Sequence, residues 1–465
     1  LIWIKALQIL MRHVPAMTPE LIARYDQRVP RYTSYPTAPH FKPDITAETY
    51  ASWLAELAPD KPVSLYLHVP FCAELCLYCG CNTAVTRSYK AVAAYVDCLE
   101  REIELITDHL PGRLDVSHIH WGGGTPTILS PEDLGQISHR LSAAFTVRSD
   151  AEIAVEIDPR TITLAHVEAL AASGLNRASL GVQDFDPLVQ ETIKRVQSFE
   201  QTAQVAAWLR QAGVNGLNLD LMYGLPFQSV DSVTRSAELA LRLDPDRIAL
   251  FGYAHVPWMK RHQALLPEQA LPGAIARVKQ REAAADAFMR AGYIQVGIDH
   301  FAKPDDPMAR RQKDGRLHRN FQGYTTDEAT ALIGFGTSAI GSLPQGYVQN
   351  APTTVGYREA VLNGRMPIVR GVALSEDDRL RRTIIERLMC DFSVNLDEIA
   401  LELRSSPSDF RSEIDAIDEL AQDGLVIRDG LTLTIPDAGR ALVRNVCAVF
   451  DRYLENGAQR HSRAL

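Results

Sequence analysis

The chain has 465 residues, 46 % hydrophobic and 23 % charged, with a formal net charge of −9. That is the profile of a globular enzyme with a large domain and smaller appendages, and it excludes a disordered, fibrous or bulk-basic nucleic-acid-binding chain. An acidic chain that takes an anionic substrate needs a locally basic pocket.

The opening run Leu1–Leu10 is apolar but short, and Lys5 interrupts it. No stretch reaches the ~20 apolar residues of a membrane helix, and no secretion signal is expected. Met11 or Met17 reads as the natural start, with residues 1–16 upstream or added sequence. Residues 17–59 form an N-terminal arm stiffened by Pro30 and Pro36.

From 60 to 365, short β-rich runs alternate with helical periodicity. The strands are expected at Val63–Val69, Val116–Trp121, Glu152–Ile157, Arg177–Val182, Gly216–Met222 and Arg247–Tyr253. The helices are expected at Ala91–Asp108, Pro131–Phe145, Phe199–Ala212 and Val230–Leu243. Such alternation predicts parallel strands joined by right-handed crossovers, a partial (β/α) barrel. The polar and Gly-rich peptides follow the strands, on the rim where barrels carry their sites.

Residues 366–465 read as a mainly helical, winged-helix-like domain. Ser375 caps a helix over Leu374–Cys390, and Leu396–Leu403 and Phe410–Gln422 continue the pattern. A hairpin turning at Asp429-Gly430 follows, then a last helix from Asp437 to Tyr453. The module is not notably basic, so DNA binding is not expected.

Four of the seven cysteines, Cys72, Cys76, Cys79 and Cys81, fall within ten residues, which points to reduced thiolates around a metal and to the cytoplasm. Cys98, Cys390 and Cys447 read as buried hydrophobes. The spacing C-x3-C-x2-C of Cys72, Cys76 and Cys79 can hold three irons of a cubane [4Fe–4S] cluster and leave the fourth open. A structural zinc site using all four cysteines is the competing reading.

The peptide Cys72-Ala-Glu-Leu-Cys76-Leu-Tyr78-Cys79 resembles the hallmark of the radical S-adenosylmethionine (SAM) superfamily. Neighbouring peptides sharpen the likeness. They include Arg31-Tyr-Thr-Ser-Tyr-Pro-Thr37, Cys79-Gly-Cys81, His120-Trp-Gly-Gly-Gly-Thr-Pro-Thr127, Glu156-Ile-Asp-Pro-Arg160, Asp220-Leu-Met-Tyr-Gly-Leu-Pro226 and His318-Arg-Asn-Phe-Gln-Gly-Tyr324. Together they are similar to the oxygen-independent coproporphyrinogen III oxidase (dehydrogenase) family, of HemN type.

The resemblance implies an enzyme that converts two propionates of coproporphyrinogen III to vinyl groups, giving protoporphyrinogen IX, through a SAM-derived 5′-deoxyadenosyl radical. It implies Cys72, Cys76 and Cys79 as cluster ligands, with Cys81 off the cluster but needed for activity. Tyr66, Gly123, Glu156 and Ile340 would contact one SAM. Gln183, Arg195, Asp220 and Ala254 would hold a second, bordered by Tyr78, Gly124 and Thr125. Glu156 and Tyr66, with Cys81, are the catalytic candidates, although a core salt bridge also accounts for Glu156. Lys194 departs from the expected neutral polar residue beside Arg195.

Phe321 and Gln322 would lie near the substrate, with Arg31, Lys303 and Arg319 as candidate propionate ligands. His68, His120, His255 and His300 are expected as hydrogen-bonded rim residues. A low-potential donor such as a flavodoxin or ferredoxin is implied, with no nucleic-acid or membrane partner, and a monomer. A haem-binding chaperone of the same superfamily is the alternative. The second cysteine of Cys79-Gly80-Cys81 and the Arg31–Pro36 arm speak against it.

Overall fold

A computed structural model describes residues 18–404, 410–454 and 463. Residues 1–16 lie outside the described residues.

Twelve strands make one mixed sheet. In chain order they are β1 (Val63–Val69), β2 (Asp115–Gly123), β3 (Thr146–Ile157), β4 (Arg177–Gln183), β5 (Gly216–Tyr223) and β6 (Arg247–Gly252). Then come β7 (Ile294–Val296), β8 (His300–Ala302), β9 (Ala331–Phe335), β10 (Ile340–Leu343), β11 (Gly346–Asn350) and β12 (Ile368–Ala373). The spatial order is β12-β11-β10-β9-β1-β2-β3-β4-β5-β6-β8-β7. Strands β9 and β1 to β6 pair in parallel, as the strand–helix alternation predicts. Both edges are antiparallel. The last strand, Ile368–Ala373, belongs to this sheet rather than to the C-terminal unit.

The helices cover the outer face of the sheet. The helix Tyr89–Thr107 buries Val92, Val96, Leu99, Ile103 and Ile106, a stripe at three- and four-residue spacing. Side-chain caps at Ser130, Ser198 and Ser229 satisfy first-turn N–H groups of the next helices. Apolar side chains of β1 to β6, among them Leu65, Val155, Leu180, Leu219 and Ile248, share one core with these helices.

A separate core holds the C-terminal unit. The helices Glu376–Asp391, Leu396–Glu402 and Arg411–Gln422 pack with a three-stranded sheet of Ser393–Asn395, Thr432–Thr434 and Ile427–Asp429. Ser375 and Asp378 close a capping box on the first helix. Asp429 pairs with Thr432, so the hairpin turns at Gly430-Leu431, one residue later than expected, with Gly430 at φ +60°. The expected last helix is broken. Asp437–Leu442 winds as a 3₁₀ helix and Val443–Val449 as an α-helix. Gly439 lets the 3₁₀ segment approach Leu425 closely: a Cβ there would lie 2.8 Å from the Leu425 carbonyl oxygen.

The first half of the arm belongs to this second core, whereas Ile45, Tyr50, Trp53, Leu54 and Leu57 pack in the barrel core. Ile22, Tyr25, Val29, Tyr32 and Tyr35 pack with Leu380, Ile384, Leu388 and Phe450. No helix among the described residues is long and apolar enough to cross a membrane.

Candidate functional site

The four clustered cysteines sit on a loop just after β1, at the C-terminal ends of the parallel strands. Phe71–Cys72 forms a short strand beside Ala84–Val85. Backbone N–H groups of Gly124 and Thr125 donate to the carbonyls of Val69 (2.7 Å) and Phe71 (2.8 Å), tying the loop to the end of β2. A Cβ on Gly124 would lie 2.6 Å from the Phe71 oxygen, so only glycine permits this approach. A distant segment holds the far side. Lys260 donates to the Cys81 carbonyl (2.7 Å), His262 to that of Cys79 (2.8 Å) and Gln263 to that of Tyr78 (2.9 Å).

The sulfurs have cationic company. Arg160 and Arg195 donate to Cys76 Sγ at 3.5 and 3.7 Å, and Asp158 fixes both at 2.7 and 3.2 Å. Thr125 Oγ1 lies 3.7 Å from Cys72 Sγ. A hydrogen bond from Cys81 draws the Cys79 thiol below its ordinary range, and the same pairing with burial pushes Cys81 up. Burial pushes Cys72 to about 11, a penalty that iron coordination of the thiolate offsets. Among the described residues no three His, Cys, Asp or Glu donors converge as ligands of one ion. A cubane asks for something else, one thiolate per iron, and a loop of three cysteines beside two guanidinium groups fits it.

The loop forms one wall of a cavity of about 640 Å³. It gathers Cys72, Cys76, Cys79, Cys81 and Tyr78 with Gly123, Gly124, Thr125, Glu156, Gln183, Arg195, Asp220 and Ala254. Arg31 from the arm also lines it. Two candidates lie behind the wall. The Tyr66 hydroxyl meets His68 Nδ1 at 3.1 Å, and its ring stacks on His120. Ile340 packs over Gly334, the register partner of Tyr66.

Glu156, the second-last residue of β3, has partners on both oxygens: His120 Nε2 at 3.2 Å and the Gly123 N–H at 3.1 Å. Burial pushes its pKa up, but the His120 and Gly123 contacts prevail and hold it below the ordinary value. The glycines beside it answer to the protein itself. A Cβ on Gly122 would strike Glu156, and one on Gly123, at φ +114°, would strike the His68 ring.

Asp220 accepts from Ser179 Oγ (2.9 Å) and Asn218 Nδ2 (2.8 Å), and burial followed by the nearby Glu156 charge raises it to about 6. Arg195 Nη2 donates to the Gly181 carbonyl (2.6 Å), while its Nε has no partner in the protein. Lys194 is exposed, so its charge stays outside the cavity. His68, His120, His255 and His300 are all hydrogen-bonded, to Asn82, Glu156, Tyr253 and Asp299 respectively.

The substrate candidates separate. Arg31 donates to the Gly252 carbonyl at the rim (3.1 Å). Gln322 lines a smaller cavity inside the barrel, and Phe321 lines another beside Thr33 and Arg382. Lys303 is a correction. It pairs with Asp244 (2.9 Å) and Asp246 (3.4 Å), before the start of β6, because β8 runs antiparallel and carries it to the opposite end. Sequence reasoning also missed Asp158 and Arg160 as a charged pair, though their place after β3 was a signal. It missed Lys260–Gln263 too, where nothing local gives the role away.

Residues 66–240 match the family model for the radical SAM superfamily, and residues 374–442 that for the HemN C-terminal domain. Fold and cysteine loop thus define a radical SAM barrel. The chain is 51 % identical to the oxygen-independent coproporphyrinogen III oxidase of Bradyrhizobium diazoefficiens, over 97 % of this chain and all of that protein. It is 44 % identical to the enzyme of that name from Paracoccus denitrificans, over 96 % of this chain and 98 % of the other. The structure of coproporphyrinogen III oxidase (HemN) from Escherichia coli, a radical SAM enzyme, superposes with a TM-score of 0.87 at 38 % identity, covering 92 % of this chain and all of that one. The chain belongs to the oxygen-independent coproporphyrinogen III oxidase family.

Proposed function

We propose that this chain oxidatively decarboxylates two propionates of coproporphyrinogen III to vinyl groups without oxygen, giving protoporphyrinogen IX. The observation that carries the reading is the meeting of a three-cysteine loop with the rim carboxylates Glu156 and Asp220 in one cavity. Cys72, Cys76 and Cys79 would hold the [4Fe–4S] cluster. When bound, the cluster and SAM supply the one-electron chemistry that removes hydrogen from the propionate.

The chain's own residues position and shield. Glu156, fixed by His120 and Gly123, presents an ionised carboxylate suited to the cationic methionyl end of SAM. Gln183, Arg195, Asp220 and Ala254 lie along the same cavity, which supports a second SAM per chain. Arg195 ties that wall to Asp158 and Cys76, so the two halves of the site share one charge network. The arm, with Arg31 at the rim, would cover the mouth and keep quenchers out. We further assign the chain as a cytoplasmic monomer taking electrons from a flavodoxin or ferredoxin. The proposed units are the arm 17–59, the barrel from 60 and the C-terminal domain, with the boundary expected at 366 moved past Ala373, the end of the last sheet strand.

The test is anaerobic turnover of coproporphyrinogen III with SAM and a low-potential reductant, following protoporphyrinogen, CO₂ and 5′-deoxyadenosine. Appearance of all three supports the reading. SAM cleavage with no porphyrinogen product under saturating substrate overturns it.

A further inference from the structure

A second cavity of about 460 Å³ adjoins the first and shares Arg31, Phe251, Gly252, Tyr253 and Ala254 with it. None of the clustered cysteines, nor Glu156 or Asp220, lines it. Its charge is unlike that of the chain as a whole. Arg28 and Arg31 enter from the arm, and Arg277 and Arg281 from the helix Ala274–Arg290. Arg319 enters from an antiparallel pair of short strands, His318–Asn320 and Gly323–Thr325, and Arg444 and Arg463 from the C-terminal unit. Against these seven arginines stand three carboxylates, Asp26, Glu268 and Asp299. In a chain of net charge −9, four separate regions have brought arginines to one place.

The cavity's own acids answer only part of this charge. Asp299 is held by His300 at 2.7 Å, and Asp26 pairs with Arg463 at 2.9 Å. Buried guanidinium N–H groups are left over: Nε of Arg277, Nε of Arg281, and Nε and Nη1 of Arg319 have no hydrogen-bond partner in the protein. Buried donors of this kind are costly unless an acceptor arrives. Existing contacts still fix the side chains. Arg319 stacks on Tyr324 and donates to the Arg31 carbonyl (3.4 Å), and Arg277 donates to the Tyr253 carbonyl (2.9 Å). Burial, then the neighbouring Arg31 charge, pushes Arg444 down to about 10, so an anion would be welcome there. Guanidinium forks suit carboxylates in particular, because both are planar and can pair through two N–H···O bonds.

We propose that this arginine-lined cavity binds the propionates of the porphyrinogen that do not react, chiefly through Arg281 and Arg319. The inference rests on the coproporphyrinogen reading and extends it. That substrate carries one propionate on each of its rings. The reacting ones belong in the first cavity, beside the cysteine loop, so the others must be housed away from it. The adjoining cavity offers the complementary charge, and the shared stretch Phe251–Ala254 lets one macrocycle span both. Product release then requires breaking the same pairs, because the unreacted propionates survive in the product.

The probes are coproporphyrin III and protoporphyrin IX, titrated anaerobically by fluorescence into the cluster-loaded enzyme and its Arg281→Gln and Arg319→Gln variants. Each variant is expected to weaken both porphyrins by about tenfold, because both retain the unreacted pair. Iron content and SAM affinity stay at wild-type values. Arg319→Lys, which keeps charge but loses the fork, recovers only part of the affinity. Unchanged binding in the folded Arg281→Gln variant, which severs no contact described above, overturns the inference. Weakened coproporphyrin III with unchanged protoporphyrin IX also overturns it, by assigning the arginines to the reacting pair. If wild type turns over coproporphyrinogen while both variants bind normally, the enzyme reading stands and this inference alone falls. If wild type neither binds nor turns over the porphyrinogen, both fall.

Discussion

Cys72 accepts a hydrogen bond from Thr125, and Cys76 accepts from Arg160 and Arg195. Cys72, Cys76 and Cys79 would supply the three thiolates of a cubane with one open iron, and Cys81 lies beyond them at the end of the loop. Serine at Cys72, Cys76 or Cys79 is therefore expected to lose the cluster, whereas Cys81→Ser keeps it and loses turnover. Iron and sulfide per chain, with the visible spectrum, check this. Iron loss in Cys81→Ser equal to the other three would make it a fourth ligand. Asp220 gives a second prediction at this scale. Asp220→Ala should lower bound SAM from two per chain to one in anaerobic equilibrium dialysis. Because burial raises its pKa to about 6, the carboxylate is ionised at neutral pH and takes up a proton as pH falls below that value. Binding of that SAM should weaken in the same direction, and a wild-type stoichiometry of one at neutral pH sinks the assignment.

The helix Tyr89–Thr107 shows what local pattern reveals and what it hides. Its apolar stripe is plain in sequence, yet Glu102 lies in that stripe and is wholly buried. The structure supplies the reason. Glu102 accepts from the Gly336 N–H (2.6 Å), Asn350 Nδ2 (2.6 Å) and the Tyr357 hydroxyl (2.6 Å), pinning the helix to β11 and the turn after β9. Burial raises its pKa to about 7 from 4.5, although these bonds pull it down. The folded protein thus holds this proton to higher pH than the unfolded chain. The resulting stability, roughly 3 kcal/mol, is fully present below about pH 4.5 and is lost as pH rises to about 7. Between about pH 5.5 and 7, the melting temperature of wild type should therefore fall with pH more steeply than that of Glu102→Gln. Parallel curves would show that Glu102 does not titrate there.

The same contrast runs through the fold. Strands β1 to β6 were legible because each contains a short β-rich run followed by a polar or Gly-rich peptide, with helical periodicity between them. Strands β9 to β12 were not foreseen: they are short, and their antiparallel pairing depends on partners rather than on period. The cysteine loop and its neighbouring peptides were legible because their chemistry is contiguous. Lys303 misled because its position relative to the rim depends on the direction of β8. Of the arginine cavity only Arg31 and Arg319 were legible, because its residues come from four distant segments.

At the scale of the whole molecule the arm runs between two cores, whose units also meet directly where Tyr324 donates to the Met389 carbonyl (2.8 Å) and Cys390 packs among Val296, Ala302 and Met308. Ile22, Tyr25, Val29, Tyr32 and Tyr35 are buried with the C-terminal unit, and Tyr25, Tyr32 and Tyr35 also hydrogen-bond to Asp423, Asp451 and the Arg452 N–H. Between those anchors, Arg31 reaches across to the Gly252 carbonyl on the barrel rim. The cysteine loop, by contrast, leaves from β1 and is tied to β2 and to Lys260–Gln263, none of it in the arm. Deleting residues 1–37 should therefore act unequally on the two halves. Each buried apolar side chain removed from the C-terminal core costs about 1.5–3 kcal/mol, so five together should loosen that unit. The barrel core contains none of the five, so the truncated chain should keep its iron and still cleave SAM. Turnover of coproporphyrinogen should be lost, because Arg31 and the cover over the mouth go together. Limited proteolysis should cut the truncated chain within 374–454 and spare the barrel. Full-rate decarboxylation by the truncated enzyme would reduce the arm to a packing strap. Loss of iron would mean that the cysteine loop depends on the arm through the barrel, contrary to the division into two cores.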